Sequence, residues 1–258
     1  MTSPPLQFSV RLMGLLLMCL APVVAGLPAG AQTAEQQLEA DVGEVFVLSI
    51  GGKLYDNLFT MTGQEVPKTA NPNFPDYVSS KSLGTWRCVS CHGWDYSGAD
   101  GERGGTGKSL AFRSLRKMVG LDPKIVVTKF RSAPHGYDAE VLPDYVVDIL
   151  ALFLSVGQYD RDLLLDDKGA SKGNAEAGQP IFEGACSNCH QLDGRAYLRG
   201  ERGDKSSLGW LARNRPEQVL HKIMNGFPGT DMLAMRFMPD QQIADLMAYM
   251  QTLDAKQK

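Results

Sequence analysis

An all-α fold built from two tandem units is what this sequence predicts, and three observations predict it. The pentapeptide Cys-x-x-Cys-His occurs twice, as Cys88-Val89-Ser90-Cys91-His92 and as Cys186-Ser187-Asn188-Cys189-His190. The segments after each copy echo one another at nearly the offset that separates the two motifs. No alternating apolar and polar run is long enough to matter as a strand, whereas apolar residues recur at helical spacing towards the end of each unit.

The pentapeptide is the attachment signature of c-type haem. Two thiols three positions apart lie on one helical turn, and each bonds one vinyl edge of the same porphyrin. The histidine that follows is carried under the iron as its proximal ligand. Cys88, Cys91 and His92, and likewise Cys186, Cys189 and His190, therefore predict two covalently bound haem c groups. Two Cys-x-x-Cys pairs can also make one zinc site, but such pairs usually lie closer together and need no histidine after each second cysteine. A thioredoxin-like thiol pair needs a βαβ context that is missing here.

Taken in chain order, residues 1–31 read as a signal peptide: Arg11, an apolar run over 12–25, then Ala29-Gly30-Ala31 as a cleavage site. The run is short for a membrane span and is broken by Pro22. Of five cysteines, Cys19 leaves with this leader and the other four belong to the two motifs. The formal charge of −3 and the lack of a Lys/Arg run argue against nucleic acid as a partner. Beyond the leader no apolar stretch spans a bilayer, so the reading is an exported periplasmic protein without a transmembrane segment.

Residues 32–156 form the first predicted unit. It carries an insertion near 60–86, rich in Pro, Asn and Ser, between Gly52-Lys53-Leu54-Tyr55 and the first motif. The expectation is a loop packed near the first haem, with Trp86 beside the porphyrin; a plain surface excursion is the alternative. Asp122-Pro123 opens a middle helix and is matched by Arg215-Pro216. Leu142-Pro143-Asp144 opens a closing helix and is matched by Met238-Pro239-Asp240, 96 residues on. Residues 157–177 read as a polar linker, so neither unit is expected to need the other to close its core. The second unit is 178–258.

Gly178, Phe182, the motif, a middle helix ending at Asn225-Gly226, a Met-bearing loop and a closing helix with Tyr249 resemble a class I cytochrome c domain. The first unit resembles a less regular copy, and the whole chain resembles two-domain dihaem c-type cytochromes. The resemblance implies that a methionine in the loop before the closing helix is the sixth iron ligand. Met232, 42 residues after His190 and 17 before Tyr249, fits that spacing best. Met235 is the second choice, Met238-Pro239 aligns with the start of the closing helix, and Met224 is left to packing. In the first unit the repeat brings His135 to the ligand position, 43 residues after His92 and 18 before Phe153. His135 is therefore the expected sixth ligand of the first iron, the alternative being a loop histidine with that iron open. His221, on the middle helix of the second unit, is expected to face solvent or cap a haem edge. Arginines after each motif, Arg103, Arg195, Arg199 and Arg202, are candidates to pair with haem propionates or to be solvated.

These features describe an electron carrier with a lower-potential His/His haem and a higher-potential His/Met haem. The expected donor is a dehydrogenase or quinol enzyme, and the acceptor an oxidase, a reductase or another cytochrome. A cytochrome subunit of an oxidoreductase complex, or a dihaem enzyme acting on peroxide or a sulfur compound, are the alternatives. The chain looks short for the peroxidases, and the sulfur enzymes use a cysteine ligand that is not spare here.

Overall fold

The computed structural model describes residues 34–74, 82–101, 112–197 and 205–253. The predicted leader with Cys19, the centre of the insertion, and the stretches that hold Arg103, Arg199 and Arg202 lie outside the described residues. Those described are helical, with no strand among them beyond an isolated bridge between Leu165 and Ser171.

The first half opens with α1 (Ala34–Thr62), whose helical geometry breaks at Asn57 (φ −153°, ψ 90°). The Asn57 side-chain carbonyl accepts from the Thr60 amide at 3.2 Å and so starts the last turn as a cap. A short α2 (Ser82–Thr85) leads to α3 (Cys88–His92), which is the first motif itself. The middle helix α4 (Pro123–Arg131) has Pro at its first position and is capped by Asp122 through the Lys124 amide at 2.8 Å. The closing helix α5 (Asp144–Val156) starts after Pro143 and buries Val146, Val147, Leu150, Ala151, Phe153 and Leu154.

The second half repeats this plan. After α6 (Arg161–Leu164), α7 (Ala175–Ala185) is capped by Asn174 and runs into α8 (Ser187–His190), the second motif, with Cys186 at the joint. Then come α9 (Leu208–Asn214), the middle helix α10 (Pro216–Asn225) and the closing helix α11 (Asp240–Thr252).

The two halves share one crossing geometry. A Cβ built on Gly178 of α7 would lie 1.9 Å from the Asp245 carbonyl of α11. A Cβ on Gly51 of α1 would lie 2.5 Å from Phe153 Cβ and 3.2 Å from the Ile149 carbonyl of α5. Ile149 and Asp245 are 96 residues apart, the offset of the repeat. Four residues beyond each glycine stands an aromatic ring that meets the closing helix: Tyr55 on Phe153 at 6.0 Å and Phe182 on Tyr249 at 5.4 Å. Glycine is needed at each crossing because an atom that cannot swing aside, backbone at Gly178 and the Phe153 Cβ at Gly51, occupies the space a side chain would take. Gly178→Ala is accordingly expected to cost about 3 kcal/mol in denaturant unfolding, the upper range for overpacking. Gly184→Ala, on the same helix with open space around it, is the control and is expected to gain about 0.5–1 kcal/mol.

The expectation of two self-sufficient cores is corrected by the structure. Residues Glu39–Lys258 form one compact unit. One continuous apolar core takes residues from both halves, including Phe153, Leu220, Ile243 and Leu246. Nor is 157–177 a free polar linker. Tyr159, Leu164 and Leu165 are buried, and the Ser171 hydroxyl donates to the Ala244 carbonyl at 2.6 Å. The Tyr159 hydroxyl lies 2.9 Å from the carbonyl of Trp94 and 3.0 Å from that of Glu217, touching both halves at once.

Candidate haem sites

The first motif is held at both ends by α1. The Tyr55 hydroxyl donates to the Gly93 carbonyl at 2.6 Å, just after His92. Arg87, just before Cys88, donates through Nε to the Asp56 carbonyl at 2.6 Å and pairs through its guanidinium with the Asp56 carboxylate. Asp56 is 1 % exposed and also pairs with Lys222 of α10. Two cations around one buried carboxylate satisfy the charge that burial would otherwise penalise. Sequence reasoning missed Tyr55 and Asp56 as supports of the motif. Tyr55 was findable as the repeat counterpart of Phe182; nothing local marks Asp56.

His92 and His135 come together. Their ring centres are 6.0 Å apart. Two imidazoles bonded at about 2.0 Å on opposite sides of one metal ion would place their ring centres about 6 Å apart. The His92 Nδ1–H donates to the Arg113 carbonyl at 3.1 Å, and the His135 Nδ1–H donates to the Lys129 carbonyl at 3.2 Å. A carbonyl can only accept, so each ring carries its proton on Nδ1 and keeps the Nε2 lone pair for a metal. Burial, with His135 nearby, pushes His92 down to about 4, so the ring is neutral at pH 7.

The second motif is more open. Cys186 is half-buried and Cys189 exposed. Burial raises the Cys186 thiol to about 11, as it does that of Cys88. The His190 ring stands edge-on to Tyr197 at 5.3 Å, and burial lowers its basicity. Met232 lies half-buried on the loop between α10 and α11, with its amide on the Thr230 hydroxyl at 3.3 Å. Among the described residues no ring or hydrogen-bond contact joins Met232 to His190. Met235 is buried and its amide donates to the Ile223 carbonyl at 2.8 Å; Met224 is buried on α10. Met238 leads into α11, with Pro239 as the cap. Arg236, on the same loop, donates to Asn225 Oδ1 at 2.6 Å but leaves its buried Nε without an acceptor. A group that brings carboxylates into the site, as haem does, would satisfy that donor.

Two sequence expectations are refined here. His221 does not face solvent. It is fully buried, with Nε2–H donating to the Gly52 carbonyl at 2.9 Å and Nδ1 accepting from the Tyr96 hydroxyl at 2.9 Å. Trp86 packs on Tyr137 at 6.2 Å, and Tyr137 in turn on His135 at 5.5 Å. Nor do the cysteine pairs converge: among the described residues no three His, Cys, Asp or Glu side chains gather as a metal site.

Residues 175–254, from the first residue of α7 to just past α11, match the family described as Cytochrome c. A cytochrome c-553-like protein of Synechocystis sp. is 31% identical over 85 residues, which cover 33% of this chain and 73% of that protein. The helical fold and the Cys-x-x-Cys-His motif inside the matched region agree with both similarities. The chain belongs to the cytochrome c family, and its 175–254 region is a cytochrome c domain of the kind that carries covalent haem c and transfers electrons.

Proposed function

We propose that this chain binds two haem c groups, one on each motif, and relays single electrons in the periplasm. In this reading residues 32–156 are a second cytochrome c-like domain, carrying a signal-free mature N-terminus and the 60–86 insertion, and 178–258 is the domain that overlaps the matched region 175–254. Cys88 and Cys91 hold the first haem with His92 and His135 on its iron. Cys186 and Cys189 hold the second, with His190 and Met232. Haem would supply an iron that takes up and releases one electron, and these side chains would tune its potential. Two imidazoles favour ferric iron and a thioether favours ferrous, so electrons tend to pass from the first site to the second. The donor is a dehydrogenase or quinol enzyme, and the acceptor an oxidase, a reductase or another cytochrome. No helix among the described residues is long and apolar enough to cross a membrane.

The pairing of His92 with His135, with both Nδ1 atoms anchored on carbonyls, is the observation that supports the first haem, and with it a count of two. Intact mass and haem absorbance of exported protein test it. Two covalent haems per chain are expected, falling to one in a Cys88→Ala/Cys91→Ala variant, which also loses the lower of two reduction midpoints. One haem in the unaltered chain would overturn the proposal.

A further inference from the structure

A ligand carried on a loop must be held there, because an iron–imidazole bond competes with the freedom of the segment that bears it. His135 sits on the loop between α4 and α5, half-buried. Part of its support is local: the Tyr137 amide donates to the Phe130 carbonyl at 3.1 Å, and Nδ1 meets Lys129. The remainder comes from the insertion. Gln64 Nε2 donates to the Glu140 carbonyl at 2.7 Å. Asn71, buried, donates through Nδ2 to the Tyr137 hydroxyl at 3.1 Å, and its own amide is fixed by the Thr85 hydroxyl at 2.9 Å. Asn73 reaches the His135 carbonyl at 3.5 Å. The Trp86 ring packs on Tyr137, and the Tyr137 ring on His135.

The contacts fall on His135, Tyr137 and Glu140, and two of them, from Asn71 and Trp86, meet at Tyr137. The second half has no counterpart: α7 runs straight into its motif, leaving no room for an inserted segment. We infer that the described parts of the insertion, 60–74 and 82–86, clamp the distal-ligand loop, with Tyr137 as the positioning residue through which Asn71 and Trp86 hold His135 on the first iron. The clamp rests on the His92/His135 ligation proposed above. It keeps the first haem six-coordinate and closed to outside ligands, which suits a relay and disfavours substrate binding at that iron.

The test uses the full haem-loaded protein in its ferric state. Cyanide uptake is followed by stopped-flow, and EPR assigns it to the His/His or the His/Met signal. Tyr137→Ala is expected to stay low-spin at rest yet bind cyanide at the first haem about tenfold faster, from loss of ring packing and a hydrogen bond together. Tyr137→Phe, which removes only the hydrogen bond, and Asn71→Ala, which also removes the acceptor of the Asn73 amide at 3.0 Å, are expected to give about threefold to fivefold. The second haem should not change. If the Ala variant does not accumulate, these two milder variants decide the matter. Uptake at the wild-type rate, or acceleration at both haems alike, overturns the clamp. A His135→Ala control separates the two levels. If that variant also remains low-spin and slow, the His/His ligation is wrong; if it becomes high-spin while the Tyr137 and Asn71 variants stay unchanged, only the clamp is wrong.

Discussion

His135→Ala is expected to turn one of the two low-spin ferric signals of the oxidised protein fully high-spin and to leave the other as it was. Met232→Ala is expected to do the complement. The first half of the expectation follows from geometry. The His92 and His135 rings stand at the separation that one iron between them requires, each with its Nε2 lone pair unspent. An alanine leaves water as the only replacement, a weaker ligand that does not keep iron low-spin. The second half follows by elimination among the methionines. Met235 is tied by its amide to Ile223 and buried, Met224 packs on α10, and Met238 is committed to the start of α11. Met232 alone combines the loop position with a half-buried side chain free of core packing. EPR at low temperature reads both outcomes. A Met232→Ala protein that stays low-spin, with Met235→Ala becoming high-spin, would move the assignment three residues along the loop.

What could be read from the sequence was whatever repeats or sits on a motif. The 96-residue offset between Leu142-Pro143 and Met238-Pro239 located both closing helices, which start at Asp144 and Asp240. The same offset singled out His135, whose ring lies 6.0 Å from that of His92. Local rules sufficed because these features are local: proline starts a helix, and glycine with an aromatic four residues on marks a helix crossing. What could not be read depends on partners far along the chain. His221 lies between charged and apolar neighbours on a short helix, and nothing in that pattern reveals Gly52, 169 residues away, or Tyr96, 125 away. The stretch 157–177 looks polar by composition, yet three of its larger side chains are buried against two different halves. Asp56 gives no signal either, since its cations come from either side of the interface.

His221→Ala is therefore expected to loosen the whole 39–258 unit and not merely one helix. The imidazole reaches from α10 into a nest of rings from the first half: Trp94 at 5.1 Å, Tyr55 at 5.7 Å and Phe153 at 6.3 Å. Its removal strands the Tyr96 hydroxyl and the Gly52 carbonyl, at about 1–3 kcal/mol each, and leaves a cavity besides. A loss of about 4 kcal/mol or more is expected, a large share of the stability of an ordinary domain. Tyr96 also holds a left-handed backbone, φ +62°, which costs about 1–2 kcal/mol in a non-glycine residue. That strain is sustained by what its hydroxyl reaches. Acidity offers a sharper readout. Burial, reinforced by Arg236 and Arg87, depresses His221 from 6.5 to about 3. The folded ring stays neutral while the unfolded one takes up a proton below pH 6.5, so the contribution is complete above that pH. It falls by about 1.4 kcal/mol per unit as the pH drops towards 3. His221→Gln keeps a donor and an acceptor but cannot titrate. Burial lowers His92 and His190 as well, so urea unfolding from pH 7 to pH 4 should show a steeper slope in the parent than in the Gln variant, and parallel curves would mean that α10 does not seal the two halves together through this ring.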